Sequence, residues 1–233
     1  MKNVANAQSC AMLFNPMTED VTSLLSYEEI KDKLMIMLVS ALSPELSEVM
    51  PHKKILDMDL VYRVRVTDVK EGELMLVVTN EFLSYWDISK EKLHEDAMKV
   101  ALEKEPLNIL KLSTMLDIMG APIDADDEIV SCPLVYCSNS SQYYGASVLA
   151  YPGFFKRASE IMNGSFWILP SSIHEVLLLP DTGAEDPKML AGTVAQINRG
   201  CVSPNDVLTD TIYHYDSDKS VFEIAQNWTN WFL

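Results

Sequence analysis

Apolar residues recur at helical spacing in the first clearly patterned stretch of the chain. Ser26-Tyr27-Glu28-Glu29 fits a capping box, in which serine and glutamate side chains satisfy free backbone amides at a helix start. Downstream, five apolar side chains form one stripe with a period close to that of an α-helix: Ile30, Leu34, Met37, Leu38 and Ala41. The pattern predicts a helix that begins after Ser26, preceded by a weakly patterned extension over residues 1–25.

Two runs of strand length follow this helix. Residues 60–66 and 73–79 flank the polar segment 68–72, so they predict an antiparallel hairpin. In the first run Arg63 and Arg65 share one face, while large apolar side chains share the other. We therefore expect this strand to be in contact with water on one face.

Two further helices are predicted next. Ser89 can cap a helix from which four residues at helical spacing face inward: Leu93, Ala97, Val100 and Ala101. A second helix is expected over about residues 107–119, ending at Gly120. Acidic, turn-like residues at 121–128 follow, and they are the predicted boundary between two modules.

The C-terminal half repeats the alternation of strand-like and helical segments. In chain order the pattern predicts strands at 134–137 and 146–151, a helix at 154–162, strands at 166–169 and 175–179, a helix at 187–199, and strands at 211–216 and 221–224. Short polar links between consecutive strands favour antiparallel pairing. We therefore predict an α+β fold of two associated modules, residues 26–122 and 129–233, with mainly antiparallel sheets and helices on one face. The order in the second module is β-β-α-β-β-α-β, with 221–224 as a possible hairpin partner of its last strand.

Composition and charge narrow the choice of partner. The chain has 233 residues, of which 48% are hydrophobic and 22% charged, as in an ordinary globular protein. Its 18 basic and 34 acidic residues give a net charge of −16. Such a surface repels nucleic-acid phosphates and anionic lipids, so a basic protein is the expected charged partner, with no direct nucleic-acid or membrane binding.

Cysteine usage and the absence of an export pattern favour the cytoplasm. Four cysteines show no spacing typical of a disulfide framework: Cys10, Cys132, Cys137 and Cys201. The first residues lack the apolar core of about 7 to 15 residues that a signal peptide needs. No apolar run approaches the roughly 18 residues of a membrane-spanning helix. The sequence therefore predicts reduced thiols in a cytoplasmic protein.

Two short motifs resemble parts of protease sites. His174-Glu175 begins like the zinc-peptidase motif, but Leu178 occupies the position of the second histidine. Asp181-Thr182-Gly183 matches the core of the aspartic-protease loop, which works as a pair of carboxylates, and the chain contains it once. A turn between a strand and a helix explains the second motif equally well, and we favour the turn.

Other candidate ligand sets are incomplete. Glu91-x-x-His94 has the spacing of a di-iron ligand pair, but no second copy accompanies it. The acidic segment 124–128 lacks the glycine and distal glutamate of a calcium loop. Cys132 and Cys137 would face opposite sides of one strand, and we interpret them as buried structural thiols. Without a phosphate-binding glycine loop either, the sequence predicts no metal and no cofactor.

A polar bend between two apolar strands is the remaining candidate site. It contains Ser171, Ser172, His174 and Glu175, which could bind a ligand or activate a hydroxyl, although hairpins also use serines for their own turn amides. In the ligand-binding version His174 is a base or hydrogen-bond donor, Glu175 orients it, and a serine contacts the ligand. Strand alternation would direct His174 and Glu175 to opposite faces unless the bend includes both. No catalytic residue is assigned.

Two adjacent tyrosines form a further polar-aromatic feature. Tyr143 and Tyr144 precede Gly145. We interpret them as the end of a strand, with a surface contact as the alternative.

Several segments of the chain resemble one bacterial family. The longest is FWILPSSIHEVLLLP at residues 166–180. Shorter ones are Tyr144-Gly145-Ala146, Tyr151-Pro152-Gly153, residues 27–34, residues 80–86, residues 207–210 and Tyr213-His214-Tyr215-Asp216. Together they resemble domain of unknown function 5688 over most of residues 26–216. That family has no established activity, ligand or catalytic residue, its members often carry a further N-terminal module, and they resemble cargo of mobile elements in Gram-positive gut anaerobes.

Two hypotheses of function follow from the sequence. The first is a cytoplasmic, non-enzymatic protein-interaction module whose acidic surface binds a basic partner. The second is a small-molecule-binding sensor or hydrolase-like enzyme centred on the bend from Ser171 to Glu175. Enzymatic activity and oligomeric state are left open by the sequence.

Overall fold

The computed structural model of the chain describes residues 26–66, 75–121, 131–170 and 172–225. It divides into two compact units, Met1–Pro106 and Leu107–Leu233. This division lies upstream of the acidic segment 121–128, because the strand that begins at Leu107 pairs within the second unit. The predicted α+β class is confirmed: helices accompany two sheets whose strands pair antiparallel throughout.

The first unit is built around one four-stranded sheet. Its elements are α1 (Tyr27–Ile30), β1 (Leu34–Ser40), α2 (Pro44–Val49), β2 (His52–Ile55), β3 (Met58–Arg65), β4 (Met75–Val77), α3 (Asn80–Trp86) and α4 (Lys90–Lys104). β3 pairs with β1 along one edge, and with β2 and β4 along the other. The pairing of β3 with β4 confirms the predicted hairpin, whose turn at 68–72 lies outside the described residues.

The predicted first helix is wrong beyond its first turn. The capping box forms, since the backbone N–H and hydroxyl of Ser26 both donate to the Glu29 carboxylate, at 3.0 and 2.7 Å. The α-helix ends at Ile30, however, and residues 34–40 form β1, of which all but the last residue are buried. An unbroken apolar run fits a strand covered on both faces, and the same run sampled at every third or fourth position imitates a helix.

The expectation of a wet face on β3 is also wrong. Seven of its eight residues are buried, and Arg63 is only 9% exposed. β3 is the central strand of its sheet, so its side chains are covered where those of an edge strand would meet water.

α4 agrees with its prediction, whereas the predicted helix after Pro106 does not. The Ser89 hydroxyl accepts a hydrogen bond from the Lys92 N–H, and the four predicted inward residues of α4 are buried. Residues 107–111 instead form β5, and only Leu112–Ile118 is helical, as α5. Pairing of β5 with β6 supplies sheet hydrogen bonds that override the local helical pattern.

The second unit contains a six-stranded sheet in the order β10-β9-β7-β8-β6-β5. Its elements after β5 and α5 are β6 (Val135–Asn139), α6 (Phe154–Met162), β7 (Phe166–Leu169), β8 (Val176–Pro180), α7 (Pro187–Gly200), β9 (Tyr213–Asp216) and β10 (Val221–Ile224). These elements confirm the predicted segments except one. The predicted strand at 146–151 is wrong, because Gly145–Ala150 forms a 3-10 helix.

Helices flank this sheet on both faces. Phe155 of α6 stacks on Tyr215, which lies opposite Phe166 in the pairing of β7 with β9. Apolar residues of α7 pack instead with Trp167, the next residue of β7. Neighbouring residues of a strand point to opposite faces, so the expected placement of helices on one face does not hold for this sheet. In the described ranges, no helix has the length and apolar character needed to cross a membrane.

Candidate functional site

The predicted bend joins β7 to β8 and lies against a loop from further along the chain. Ser172 forms an isolated antiparallel bridge with Val207, and the Ile173 N–H donates to the main-chain oxygen of Asp206 at 2.8 Å. These contacts bring Asp206 beside the bend, although more than 30 residues separate it from the bend in sequence. Ser171 is outside the described residues.

A second segment, from Ser138 near the end of β6 to Ala146, contacts the other side of the bend. The Ser138 hydroxyl donates to the main-chain oxygen of His174 at 2.8 Å, and the Ala146 N–H donates to that of Ile173 at 3.2 Å. Gly145 fits between them only because it lacks a side chain. A Cβ there would lie 1.9 Å from the Ser138 Oγ and 2.4 Å from the His174 carbonyl oxygen, closer than atoms can approach.

The imidazole of His174 is held by these two segments. Its Nδ1 accepts a hydrogen bond from the Tyr144 N–H at 3.2 Å, and its ring stacks on the Tyr144 ring at 5.7 Å between centroids. Its Nε2 lies 3.6 Å from the Asp206 Oδ1. A backbone N–H can only donate, so neutral His174 carries its proton on Nε2. That tautomer favours the hydrogen-bond donor over the general base, the two roles considered for His174.

Tyr144 adopts an unusual backbone conformation to make this contact. Its φ is 54°, in the left-handed region that bulky residues rarely occupy. The conformation costs roughly 1 to 3 kcal/mol, which the surrounding hydrogen bonds must offset. Strain of this kind is concentrated at sites that bind or react, so the turn containing Tyr144 is a functional candidate in its own right.

Ser172 and Glu175 complete the polar part of the bend. Ser172 is 5% exposed, and its Oγ accepts a hydrogen bond from the His174 N–H at 2.9 Å. Burial raises the pKa of the Glu175 carboxyl, and the neighbouring Asp206 raises it further, while His174 and the Ser172 hydroxyl lower it. The two ring nitrogens of His174 face the Tyr144 N–H and the Asp206 carboxylate, and the orienting role expected for Glu175 stays a prediction. Ser172 is too enclosed to meet a substrate directly.

The exposed part of this cluster is aromatic and acidic. Tyr143 is 37% exposed and its ring lies 5.3 Å from that of His174 and 4.4 Å from that of Tyr144. The side chain of Asp206 is 39% exposed, and that of His174 is 26% exposed. Together with Tyr144, which is 7% exposed, these residues form what we call the aromatic-acidic corner: Tyr143, Tyr144, His174 and Asp206. Ring faces beside a carboxylate attract a cation by both cation-π and ionic interactions.

The Asp-Thr-Gly motif forms a turn, as the sequence interpretation favoured. Gly183 has a φ of 78°, and its N–H donates to the Asp181 Oδ1 at 2.9 Å. Hydrogen bonds from Thr182 lower the pKa of the Glu185 carboxyl to about 2. The other oxygen of Asp181 lies 2.8 Å from the His214 Nε2, so the motif is joined to β9 rather than to a second aspartate.

His94, the histidine of the motif that resembles a di-iron ligand pair, contacts residues of the protein itself. His94 contacts the Tyr62 hydroxyl through Nδ1 at 2.9 Å and the Lys53 ammonium through Nε2 at 3.3 Å, so both ring nitrogens are used. Burial lowers the pKa of His94, as does the Lys53 charge. Over the described ranges, no group of three or more histidine, cysteine, aspartate or glutamate side chains is placed to hold a metal ion. The acidic segment 124–128 lies outside those ranges.

Of Cys132 and Cys137, both interpreted from the sequence as buried structural thiols, only Cys137 is buried. Cys137 is fully buried, and burial raises the pKa of its thiol to about 12. Cys132 is half-buried, and Cys201, which precedes the loop to β9, is exposed; all three carry free thiols. A thiol that stays protonated and enclosed has no catalytic use, so Cys137 is a packing residue.

Sequence reasoning found part of the corner and missed the rest. It selected His174, Ser172 and Glu175, and it noted Tyr143 and Tyr144 as a strand end or a surface contact. It missed Asp206 and Gly145. The pair Tyr144-Gly145 carried a usable signal, because a glycine after two aromatic residues marks a close backbone approach as readily as a strand end.

Comparison with known proteins identifies the family of the chain. The model of the family described as "Family of unknown function (DUF5688)" matches residues 1–217 of the 233 in the chain. This match confirms the resemblance found in the sequence, and it includes the aromatic-acidic corner and residues 1–25. Neither the curated proteins nor the solved structures contain a protein that matches.

Proposed function

The chain belongs to DUF5688, a family of unknown function, and we propose that it acts as a non-enzymatic protein-interaction module that binds a basic partner. The aromatic-acidic corner is the part of the surface that we assign to the contact. A lysine or arginine side chain of the partner lies on the exposed Tyr143 ring and forms an ion pair with Asp206.

Charge supports a basic partner over other classes. The chain carries 34 acidic and 18 basic residues, and the acidic excess is stronger in the segment that contains Asp206. Residues 175–223 contain nine acidic side chains and only three basic ones. Such a field attracts a cationic protein over a distance of about 10 Å at ordinary ionic strength and speeds its association.

The geometry of the corner is the observation that carries the proposal. Tyr143, His174 and Asp206 are each between a quarter and two fifths exposed, and hydrogen bonds with the Ser138 and Ser172 hydroxyls fix the backbone of His174. Tyrosine is one of the residue types enriched at the few positions that dominate a protein interface. An exposed cation-π contact contributes about 0.5 to 1 kcal/mol, and desolvation by the partner increases this.

The arrangement of the bend supports binding rather than catalysis. His174 has Nδ1 occupied by the Tyr144 N–H, and Ser172 is enclosed. A nucleophile with a free base beside it is the usual requirement for hydrolysis, and neither is offered by this pair.

The proposal is tested by capturing partner proteins from an extract of the native host, and then by measuring the affinity of the purified partner for the chain. We expect a basic protein that is retained at moderate salt and released at high salt. Asp206→Asn and Tyr143→Ala should each weaken its binding by about fivefold or more. Glu160→Gln, which removes one exposed charge from α6, is the matched control and should have a much smaller effect.

Three results would contradict the proposal. One is a host extract that yields no salt-sensitive partner, and another is a partner with an acidic surface. The third is an equal loss of affinity in Asp206→Asn and Glu160→Gln, because the total charge would then matter and the corner would not.

A further inference from the structure

The carboxylate of Asp206 remains able to accept hydrogen bonds from outside the chain. The described residues give it one ionic neighbour, the His174 Nε2 at 3.6 Å, which is longer than a normal hydrogen bond. The Asp206 side chain is 39% exposed. A carboxylate has two oxygens in one plane, so it can accept two parallel N–H groups from a single donor.

Aromatic rings lie beside this carboxylate. The centroid of the His174 ring, whose Nε2 faces Asp206, is 5.3 Å from that of Tyr143 and 5.7 Å from that of Tyr144. Tyr143 is 37% exposed, so part of its side chain meets solvent. An exposed aromatic residue and an exposed carboxylate are therefore neighbours of the same imidazole.

A second carboxyl strengthens the negative charge at this position. The charge of Asp206 adds to the effect of burial in raising the pKa of the Glu175 carboxyl, so the two groups repel each other when both are ionised. A cation bound at Asp206 relieves that repulsion, whereas an anion would increase it. The local charge thus selects a cationic group.

The two cationic side chains of proteins would use this corner differently. A guanidinium is flat, so it can stack on an aromatic ring while its edge donates two parallel N–H groups to one carboxylate. An ammonium is a compact, strongly hydrated charge and has no such paired geometry. The guanidinium therefore matches both the ring and the two carboxylate oxygens.

We infer that the aromatic-acidic corner selects an arginine side chain of its partner over a lysine side chain. The guanidinium lies on the exposed part of the Tyr143 ring and donates two N–H groups to the Asp206 carboxylate. This inference rests on the interaction function proposed above, and it names the residue of the partner that enters the site.

The test is a titration of the full chain with N-acetylarginine methylamide, followed by amide and imidazole chemical shifts in NMR. We expect saturable shifts at Tyr143, His174 and Asp206. The corresponding lysine compound has the same charge, and the citrulline compound has nearly the same shape without charge. Both should bind at least fivefold more weakly. Equal or tighter binding of either compound, or no saturable shift with the arginine compound, would overturn the inference.

Variants of the carboxylate and of the ring locate the contact. Asp206→Asn should weaken binding of the arginine compound by about fivefold and remove its advantage over the lysine compound. Tyr143→Leu should weaken it by about threefold, whereas Tyr143→Phe keeps the ring face and should leave the affinity unchanged. Glu160→Gln removes an exposed charge from α6 and should also leave it unchanged. Equal weakening by Asp206→Asn and Glu160→Gln would overturn the assigned position.

The titration and the capture of a partner from the host fail separately. Equal binding of the arginine and lysine compounds, alongside capture of a salt-sensitive basic partner, would refute the selection of arginine and leave the interaction function standing. Capture of no such partner would refute the interaction function, whatever the titration shows.

Discussion

The second unit contains two histidine–aspartate pairs with the same chemistry and different settings. His214 Nε2 lies 2.8 Å from the Asp181 carboxylate, and the two side chains are 17% and 24% exposed. His174 Nε2 lies 3.6 Å from the Asp206 carboxylate, and those side chains are 26% and 39% exposed. Each pair joins residues 32 or 33 positions apart, so chain length between the partners does not explain the difference.

The surroundings of the two pairs explain what each can do. His214 lies in β9 opposite Trp167, with 4.6 Å between the ring centroids, and Asp181 directly follows β8. Both partners are fixed by the sheet, and their hydrogen bond uses the proton on Nε2. His174 and Asp206 lie in loops, where the longer distance leaves the carboxylate able to accept a new partner. The comparison separates a pair that stabilises the fold from a pair suited to binding.

The largest effect on stability is expected from a substitution at Gly145, which packs against the backbone of His174. Gly145→Ala places a Cβ against Ser138 and the His174 carbonyl, and it should lower the free energy of unfolding by about 3 kcal/mol or prevent folding. Urea denaturation measures the change. Gly192→Ala is the control in the interior of α7, where a Cβ meets nothing within 4 Å, and it should add about 0.5 to 1 kcal/mol. Similar losses in both variants would refute the close approach at Gly145.

Removing the carboxylate charge from each pair tests the comparison directly. Asp181→Asn should lower the free energy of unfolding by about 1 kcal/mol, since it replaces a charge-assisted hydrogen bond by a neutral one. Asp206→Asn should cost less than about 0.5 kcal/mol, because its exposed pair is weak and its main-chain bond to Ile173 is kept. The comparison fails if Asp206→Asn proves the more destabilising of the two.

A smaller effect on stability is expected from Glu175, which neighbours the pair of His174 and Asp206. Burial raises the pKa of Glu175 above its ordinary 4.5, so the folded chain binds this proton more tightly than the unfolded chain. From pH 4.5 up to the raised pKa, the stability of the wild type therefore falls as pH increases. Glu175→Gln should unfold at a higher temperature than the wild type at pH 7 and at the same temperature below about pH 4. Glu160→Gln is the exposed control. A stability advantage that does not depend on pH would contradict this account.

The last prediction needs no substitution. It concerns the nitrogen atom that carries the proton in His174 and in His214, which NMR can determine. Nitrogen chemical shifts should assign both His174 and His214 to the tautomer with the proton on Nε2 when neutral, because Nδ1 of His174 accepts from a backbone N–H and Nε2 of His214 faces a carboxylate. A proton on Nδ1 of His174 would restore the general-base role and remove the main distinction drawn between binding and catalysis.

Local patterns predicted the elements that depend on local interactions. The caps at Ser26 and Ser89, α6, β7 and the antiparallel pairing of β7 with β8 were all predictable, because capping residues and period-two alternation act over a few residues. β1 was not, because its run of apolar residues satisfies both periodicities and only the surrounding sheet decides between them. The same holds for β5, which requires β6 as a partner.

The candidate site was predictable only where its residues are close in sequence. Ser172, His174 and Glu175 stood out as one polar bend. Asp206 could not be associated with them, because a loop contact between segments far apart leaves no periodic signal. Tyr144 was visible as a residue type, but its left-handed backbone and its bond to His174 depend on the approach of Gly145.

Because Cys137 is buried, its reaction with a thiol reagent measures the opening of the second sheet. Its thiol lies in β6, between β5 and β8, and stays protonated at physiological pH, so alkylating reagents reach it only when those strands separate. The exposed Cys201 reacts in the native state, so its rate is the reference for a fully accessible thiol. The ratio of the alkylation rates read at Cys137 and Cys201 therefore reports how often the sheet opens, without any substitution.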